Sequence, residues 1–129
     1  MSKGHTCKSA TAYATITPSQ EKGDRVKVTF CPLFSGSSGN AVYMGTQGTH
    51  ILVDAGVSAA AIERALSSIG VSASELDGIL ITHEHTDHTQ GVCTLCRKHG
   101  IPVYANRATF DGMGEKAQQL PTGLARVFE

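Results

Sequence analysis

Between Thr82 and His88 the chain reads Thr-His-Glu-His-Thr-Asp-His, which sets His83, His85, Asp87 and His88 within six positions. Imidazole nitrogens and carboxylate oxygens together suit zinc, manganese or iron. The wholly apolar run Ile79-Leu80-Ile81 comes immediately before, so a buried strand fixes where these side chains emerge. His83 and His85, two positions apart, share one face of an extended chain and can turn toward one cation. The loop beyond lets Asp87 and His88 bend back toward a neighbouring position. Such a group could hold two divalent metal ions, one on His83 and His85 and the other on Asp87 and His88. Paired cations lower the pKa of a bound water and neutralise charge on attacking and leaving oxygens. Hydrolysis of a phosphodiester, ester, thioester or amide needs that chemistry.

The elements that must position these residues follow from periodicity. Residues 1–24 are rich in Ser, Thr, Lys and Ala without a sustained period and read as a flexible N-terminal leader outside the fold. From residue 25 to 129 the texture is that of one folded unit. Val26, Val28 and Phe30 alternate with polar neighbours as a half-buried strand, followed by Pro32 and the small-residue loop from Ser35 to Asn40. Ala41–Met44 and His50–Asp54, joined by a turn bounded by Gly45 and Gly48, predict an antiparallel hairpin. Ser58 is a candidate N-cap for a helix from Ala59 to Ile69, whose Ile62, Ala65, Leu66 and Ile69 line one face and which Gly70 ends. Ile79–Ile81 predicts a short strand covered on both faces. A second helix spans Gln90 to His99 and stops at Gly100; Ile101–Tyr104 is a further strand. Residues 107–119 carry one or two weak helical turns, and Leu124–Phe128 begins another strand. Strands first, then strands alternating with helices, predict an α/β (α+β) fold with helices packed outside a mixed sheet.

Composition narrows the class. Apolar residues make up 40% and charged residues 17% of the 129, which is a globular and not a disordered balance. Eleven basic and eleven acidic residues cancel, so no overall cationic field advertises nucleic-acid binding. The acids Asp54, Glu63, Glu75, Asp77, Glu84 and Asp87 gather in the middle of the chain against Arg64 alone, as a cation site or solvated helix ends would require. Cys7, Cys31, Cys93 and Cys96 show no secreted disulfide spacing, the first residues lack the apolar core of a signal peptide, and no run approaches the ~20 apolar residues of a membrane span. A reduced, cytoplasmic setting is the resulting expectation. Oligomeric state is not written in this pattern.

His83-Glu84-His85-Thr86-Asp87-His88 resembles the HxHxDH signature of the metallo-β-lactamase superfamily, and Ile51-Leu52-Val53-Asp54-Ala55-Gly56 resembles its earlier strand ending in Asp-x-Gly. With the Ser-Gly-Ser-Ser-Gly-Asn loop and the Ile-Pro-Val-Tyr-Ala-Asn strand, the sequence is similar to the WalJ/YycJ-type subgroup from about Val26 onward. The resemblance implies an αββα sandwich holding two divalent metal ions, zinc or manganese with iron as a third choice. It also implies a metal-dependent hydrolase and, for the subgroup, a 5′–3′ exonuclease acting on DNA. Carried over, His83 and His85 would ligate one metal, and Asp87 and His88 the other. Asp87 would also orient the nucleophilic water, and Asp54 would steady the ligand loop without touching metal. The family takes further ligands, two histidines and a bridging aspartate, from downstream of position 129. The chain is therefore expected to be the N-terminal half of a longer domain, inactive alone, with one sheet face uncovered.

Other features are weighed against plainer roles. Ser35, Ser37, Ser38 and Asn40 could form a loop that cradles a substrate phosphate with backbone N–H groups, or simply connect two strands. Cys93-Thr94-Leu95-Cys96 could bind metal or exchange electrons, but no second cysteine pair completes a zinc set and Cys96 faces the apolar side of its helix. Glu84 and His50 are expected in solvent, and Arg97-Lys98-His99 is a cation cluster of the kind helix C-termini favour. Two rival readings stand beside the DNA nuclease. One keeps the fold and changes the substrate to RNA, a cyclic nucleotide, a thioester or a lactam. The other is an inactive metal-binding or interaction module that pairs through an open strand edge.

Overall fold

Ala41 and Tyr43 are buried while Val42 and Met44 on the same strand are not, and this alternation sets the sidedness of the whole sheet. The computed structural model describes the backbone of residues 14–16 and all atoms of residues 27–128. Seven strands form one sheet in chain order: β1 (Ala14–Ile16), β2 (Val28–Phe34), β3 (Ala41–Gly45), β4 (His50–Val53), β5 (Gly78–Leu80), β6 (Val103–Asn106) and β7 (Ala125–Phe128). The pairs from β1 to β4 are antiparallel and those from β4 to β7 are parallel. Each parallel step requires a crossover, and helices supply it. These are α1 (Ala59–Ser68), α2 (Thr86–Thr89) with α3 (Val92–His99), and α4 (Arg107–Met113) with α5 (Glu115–Gln118).

Register explains why one face is a core and the other is not. Tyr43 pairs with Leu52, Leu52 with Ile79, and Ile79 with Val103, and all four are buried. Ile62 and Leu66 of α1 and Val92, Leu95 and Cys96 of α3 join the same core and cover that face. The next row, Val42, Val53, Leu80 and Tyr104, is likewise in register but only half-buried. That face is apolar and only half-buried; Leu80 therefore lacks the full cover predicted for both sides of β5.

The helix ends match their local signals. Ser58 caps α1 by accepting from the Ala61 amide, and Gly100 closes α3 in the left-handed region with its N–H on the Cys96 carbonyl. Several boundaries differ from expectation. β2 runs through Pro32 to Phe34, with a register shift between those two residues that absorbs the missing donor. β6 begins at Val103 and reaches Asn106, because Ile101 precedes the ladder; the Pro102 carbonyl accepts from the Ile79 amide. The metal-motif loop contains a helical turn, α2, that no apolar period announces. Within the stretch read as a leader, Ala14–Ile16 pairs with Val28–Phe30 at the edge of the sheet; the rest of residues 1–24 lies outside the described residues. Cys31 is disulfide-bonded, which departs from the reduced state suggested by cysteine spacing, whereas Cys93 and Cys96 are free and buried. No described helix is long and apolar enough to cross a membrane.

Candidate metal centre

The carboxyl ends of the parallel strands converge on one rim, where ligands of open α/β sheets bind. Asp54 leaves β4 there, and Thr82 to His88 leave β5. Asp54 is buried and has φ of 68°, the only non-glycine with positive φ among the described residues. This left-handed turn, which Asp tolerates better than most residues, swings its carboxylate sideways to the neighbouring strand end. Asp54 Oδ1 accepts from the Thr82 amide at 2.8 Å, and Oδ2 accepts from Thr82 Oγ1 at 2.7 Å. Oδ2 also accepts from His88 Nδ1 at 2.8 Å.

These bonds settle two imidazoles. A carboxylate only accepts, so the His88 ring proton is assigned to Nδ1 and the Nε2 lone pair is left open. Thr82 Oγ1 spends its single proton on Asp54, so at its 3.1 Å contact with His83 Nδ1 the hydroxyl accepts. His83 therefore also presents an open Nε2. The His83 and His88 rings lie 4.6 Å apart between centroids, tilted by 34°. The family resemblance implied a supporting role for Asp54, but Thr82 was overlooked. The signal available was a hydroxyl residue at the end of a buried strand, directly before the first histidine.

The remaining motif residues are less gathered. Asp87 Oδ2 stands 3.7 Å from His88 Nε2. His83 lies 6.4 Å from His85 between ring centroids, farther than from His88. The His85 side chain is 72% exposed, with Glu84 Oε2 at 3.8 Å from its Nε2. Glu84 is exposed, as expected, and its side chain rests against Gly112 of α4. The donor types and the two open Nε2 atoms suit divalent metal. Even so, no group of three or more His, Cys, Asp or Glu side chains closes around a common point among the described residues.

Backbone contacts hold this loop from below. The Asp87 carbonyl accepts from the Asn40 amide at 2.9 Å, and the His88 carbonyl accepts from the Ala55 amide at 2.9 Å. Ala55 O in turn accepts from the Gly91 amide. A Cβ on Gly56 would sit 1.8 Å from the Asp87 oxygen, so only glycine allows this approach. Buried Thr89 donates to the His85 carbonyl and accepts from Lys116 Nζ. Ser35, Ser37 and Ser38 are exposed, while Asn40 is half-buried.

The demoted features keep their plainer roles. Lys98 and His99 both contact Glu63 of α1, at 3.0 and 2.8 Å, and these partners hold the Glu63 carboxyl below its usual range. Burial pushes the Cys93 and Cys96 thiols up, which suppresses reactive thiolate. His50 is half-buried, not free in solvent, and its Nδ1 lies 2.6 Å from Tyr43 Oη.

Residues 35–125 match the model of the metallo-beta-lactamase superfamily. The chain belongs to that superfamily. Membership implies divalent metal ions and gives the Asp54–Thr82–His88 rim its family setting. Exodeoxyribonuclease YycJ of Bacillus anthracis is 41% identical over 99 residues, covering 77% of this chain and 38% of that protein. Exodeoxyribonuclease WalJ of Streptococcus pneumoniae is 49% identical over 81 residues, 63% of this chain and 30% of that one. Among solved structures, a metallo-β-lactamase of Cronobacter sakazakii superposes with a TM-score of 0.60 at 26% identity, over 78% of this chain and 42% of the other. The chain thus spans about a third of the length of the curated relatives it matches.

Proposed function

We propose that this chain is part of a dinuclear metal-dependent phosphodiesterase, a 5′–3′ DNA exonuclease at the relatives' full length. One observation carries the metal-dependent part: Asp54 and Thr82 fix the tautomers of His88 and His83 so that both Nε2 atoms are open at the sheet rim. The DNA substrate is supported by similarity to two exodeoxyribonucleases. His83 and His85 would hold one ion and Asp87 and His88 the second, with zinc or manganese favoured by the mixed nitrogen and oxygen donors. Bound there, the ions would supply an activated water and charge neutralisation. The chain's own residues act before that. Asp54 and Thr82 would orient the imidazoles, Asp87 would receive a proton, and the exposed hydroxyls of Ser35, Ser37 and Ser38 would meet a substrate phosphate. Catalysis is assigned to a protein of the relatives' full length. A cytoplasmic location belongs to the same reading and rests on the cysteine spacing alone, against which the Cys31 disulfide counts.

Two experiments test this. Titration of the chain with Zn²⁺ or Mn²⁺ should show binding that His83→Ala and His88→Ala each weaken; binding indifferent to both substitutions would remove the metal assignment. The full-length protein with Mn²⁺ should degrade 5′-labelled duplex DNA, and His85→Ala should abolish it. Metal binding without any DNA degradation would shift the substrate to another phosphodiester or to a thioester.

A further inference from the structure

Asn40 ends a glycine-serine loop whose composition suits an anion cradle, yet its polar groups are already engaged. Its Oδ1 accepts from the Gly36 amide at 3.2 Å, and its Nδ2 donates to the Gly36 carbonyl at 3.2 Å and to the Asp87 carbonyl at 3.3 Å. Its backbone N–H donates to the same Asp87 carbonyl, and its own carbonyl accepts from the Gly56 amide. The Gly39 amide is spent on the Gly36 carbonyl as well. A phosphate cradle needs N–H groups directed at the ligand. Here the N–H groups of Gly36, Gly39 and Asn40 all turn inward.

Those of Gly36 and Gly39 close the loop on itself, and through its amide and its side chain Asn40 grips the loop that carries Asp87 and His88. Three backbone segments, 39–40, 55–57 and 87–88, lie against one another, with the Val57 side chain against Gly39 and no room for a side chain at Gly39 or Gly56. A Cβ on Gly39 would approach the Gly56 carbonyl oxygen to 2.5 Å, and one on Gly56 would approach the Asn40 nitrogen to 2.6 Å. Asn40 contributes a hydrogen-bonding side chain to this stack, and that side chain spans from Gly36 to Asp87.

We propose that Asn40 is a positioning residue for the metal loop, clamping the Asp87 carbonyl so that Asp87 and His88 are presented together. This rests on the metal-dependent reading above for its consequence, but not for the clamp itself. Asn40→Ala removes the clamp. Asn40→Asp is nearly the same size and keeps the acceptor for Gly36, but sets an oxygen against the Asp87 carbonyl in place of a donor. The first readout is amide hydrogen exchange without metal. In both variants the His88 and Gln90 amides, which donate to the His85 and Thr86 carbonyls, should exchange faster, with protection in β4 and β5 unchanged. The second readout is Zn²⁺ affinity, which should fall about 10–100-fold, as for other groups that orient ligands.

Unchanged exchange at His88 and Gln90 in both variants overturns the clamp. Acceleration of all amides alike in Asn40→Asp also overturns it, since that describes a merely structural residue. If wild-type chain takes no Zn²⁺, the metal reading fails and the exchange comparison still decides the clamp.

Discussion

Asp54 and His88 lie 34 positions apart, yet Oδ2 of one stands 2.8 Å from Nδ1 of the other. The contact joins the turn after β4 to α2, and it fixes which nitrogen of His88 is free. Asn at position 54 would tolerate the left-handed backbone but could present a donor to His88 Nδ1. The ring proton would then move to Nε2, the nitrogen that must be open. Asp54→Asn should therefore lower Zn²⁺ affinity about 10–100-fold while the fold persists. Ring ¹⁵N shifts of His88 would report the tautomer change; unchanged shifts and affinity would contradict the orienting role.

Gly56 is required by contact, not by its own φ. A methyl group there meets the Asp87 carbonyl oxygen at 1.8 Å, a backbone atom that cannot rotate away. Gly56→Ala should cost about 1–3 kcal/mol in urea unfolding, the range for overpacked positions. A variant as stable as wild type would mean that the loop slides without penalty.

Glu63 links α1 to the end of α3 through His99 and Lys98. Hydrogen bonds from His99 first, then Lys98, lower its pKa below the ordinary 4.5. A lowered carboxylate pKa stabilises the fold above about 4.5, and the contribution disappears as pH falls through the folded-state value. Wild type should therefore exceed Glu63→Gln at neutral pH by about 1 kcal/mol or less, since the site is partly solvated. The gap should close in acid. Thermal melts across that range would show it, and a gap that widened on acidification would refute the sign.

Cys93 and Cys96 are buried, and burial raises both thiols above their ordinary value. Little thiolate is then present at neutral pH. Iodoacetamide should label both slowly in the native protein and quickly in urea. Fast native labelling at either would reopen the redox reading of this Cys-x-x-Cys pair.

Local signals were legible where local physics decides. Ser58 announces α1 because its hydroxyl can satisfy an orphan amide three residues on, and Gly100 announces the end of α3 because it tolerates the left-handed cap. The β3–β4 hairpin could be read from alternation and a glycine-bounded turn. The turn α2 was not legible, since it is too short for a period and is held by Thr89 bonding back to His85. Pro32 inside β2 was not legible either, because a proline in a strand is tolerated only through a register shift that the partner strand allows.

The sequence alone determined the family, the donor types and the rim on which they stand, because a ligand motif after a buried apolar run needs only local order to be recognised. Tertiary structure decided the rest. It brought His83 nearer to His88 than to His85, gave Thr82 the proton bookkeeping between Asp54 and His83, and turned Asn40 toward Asp87. Asp54 reaches Thr82 across 28 positions and His88 across 34, and Asn40 reaches Asp87 across 47. Contacts of that span depend on which strand ends meet at the sheet rim, and no window of neighbouring residues contains that information.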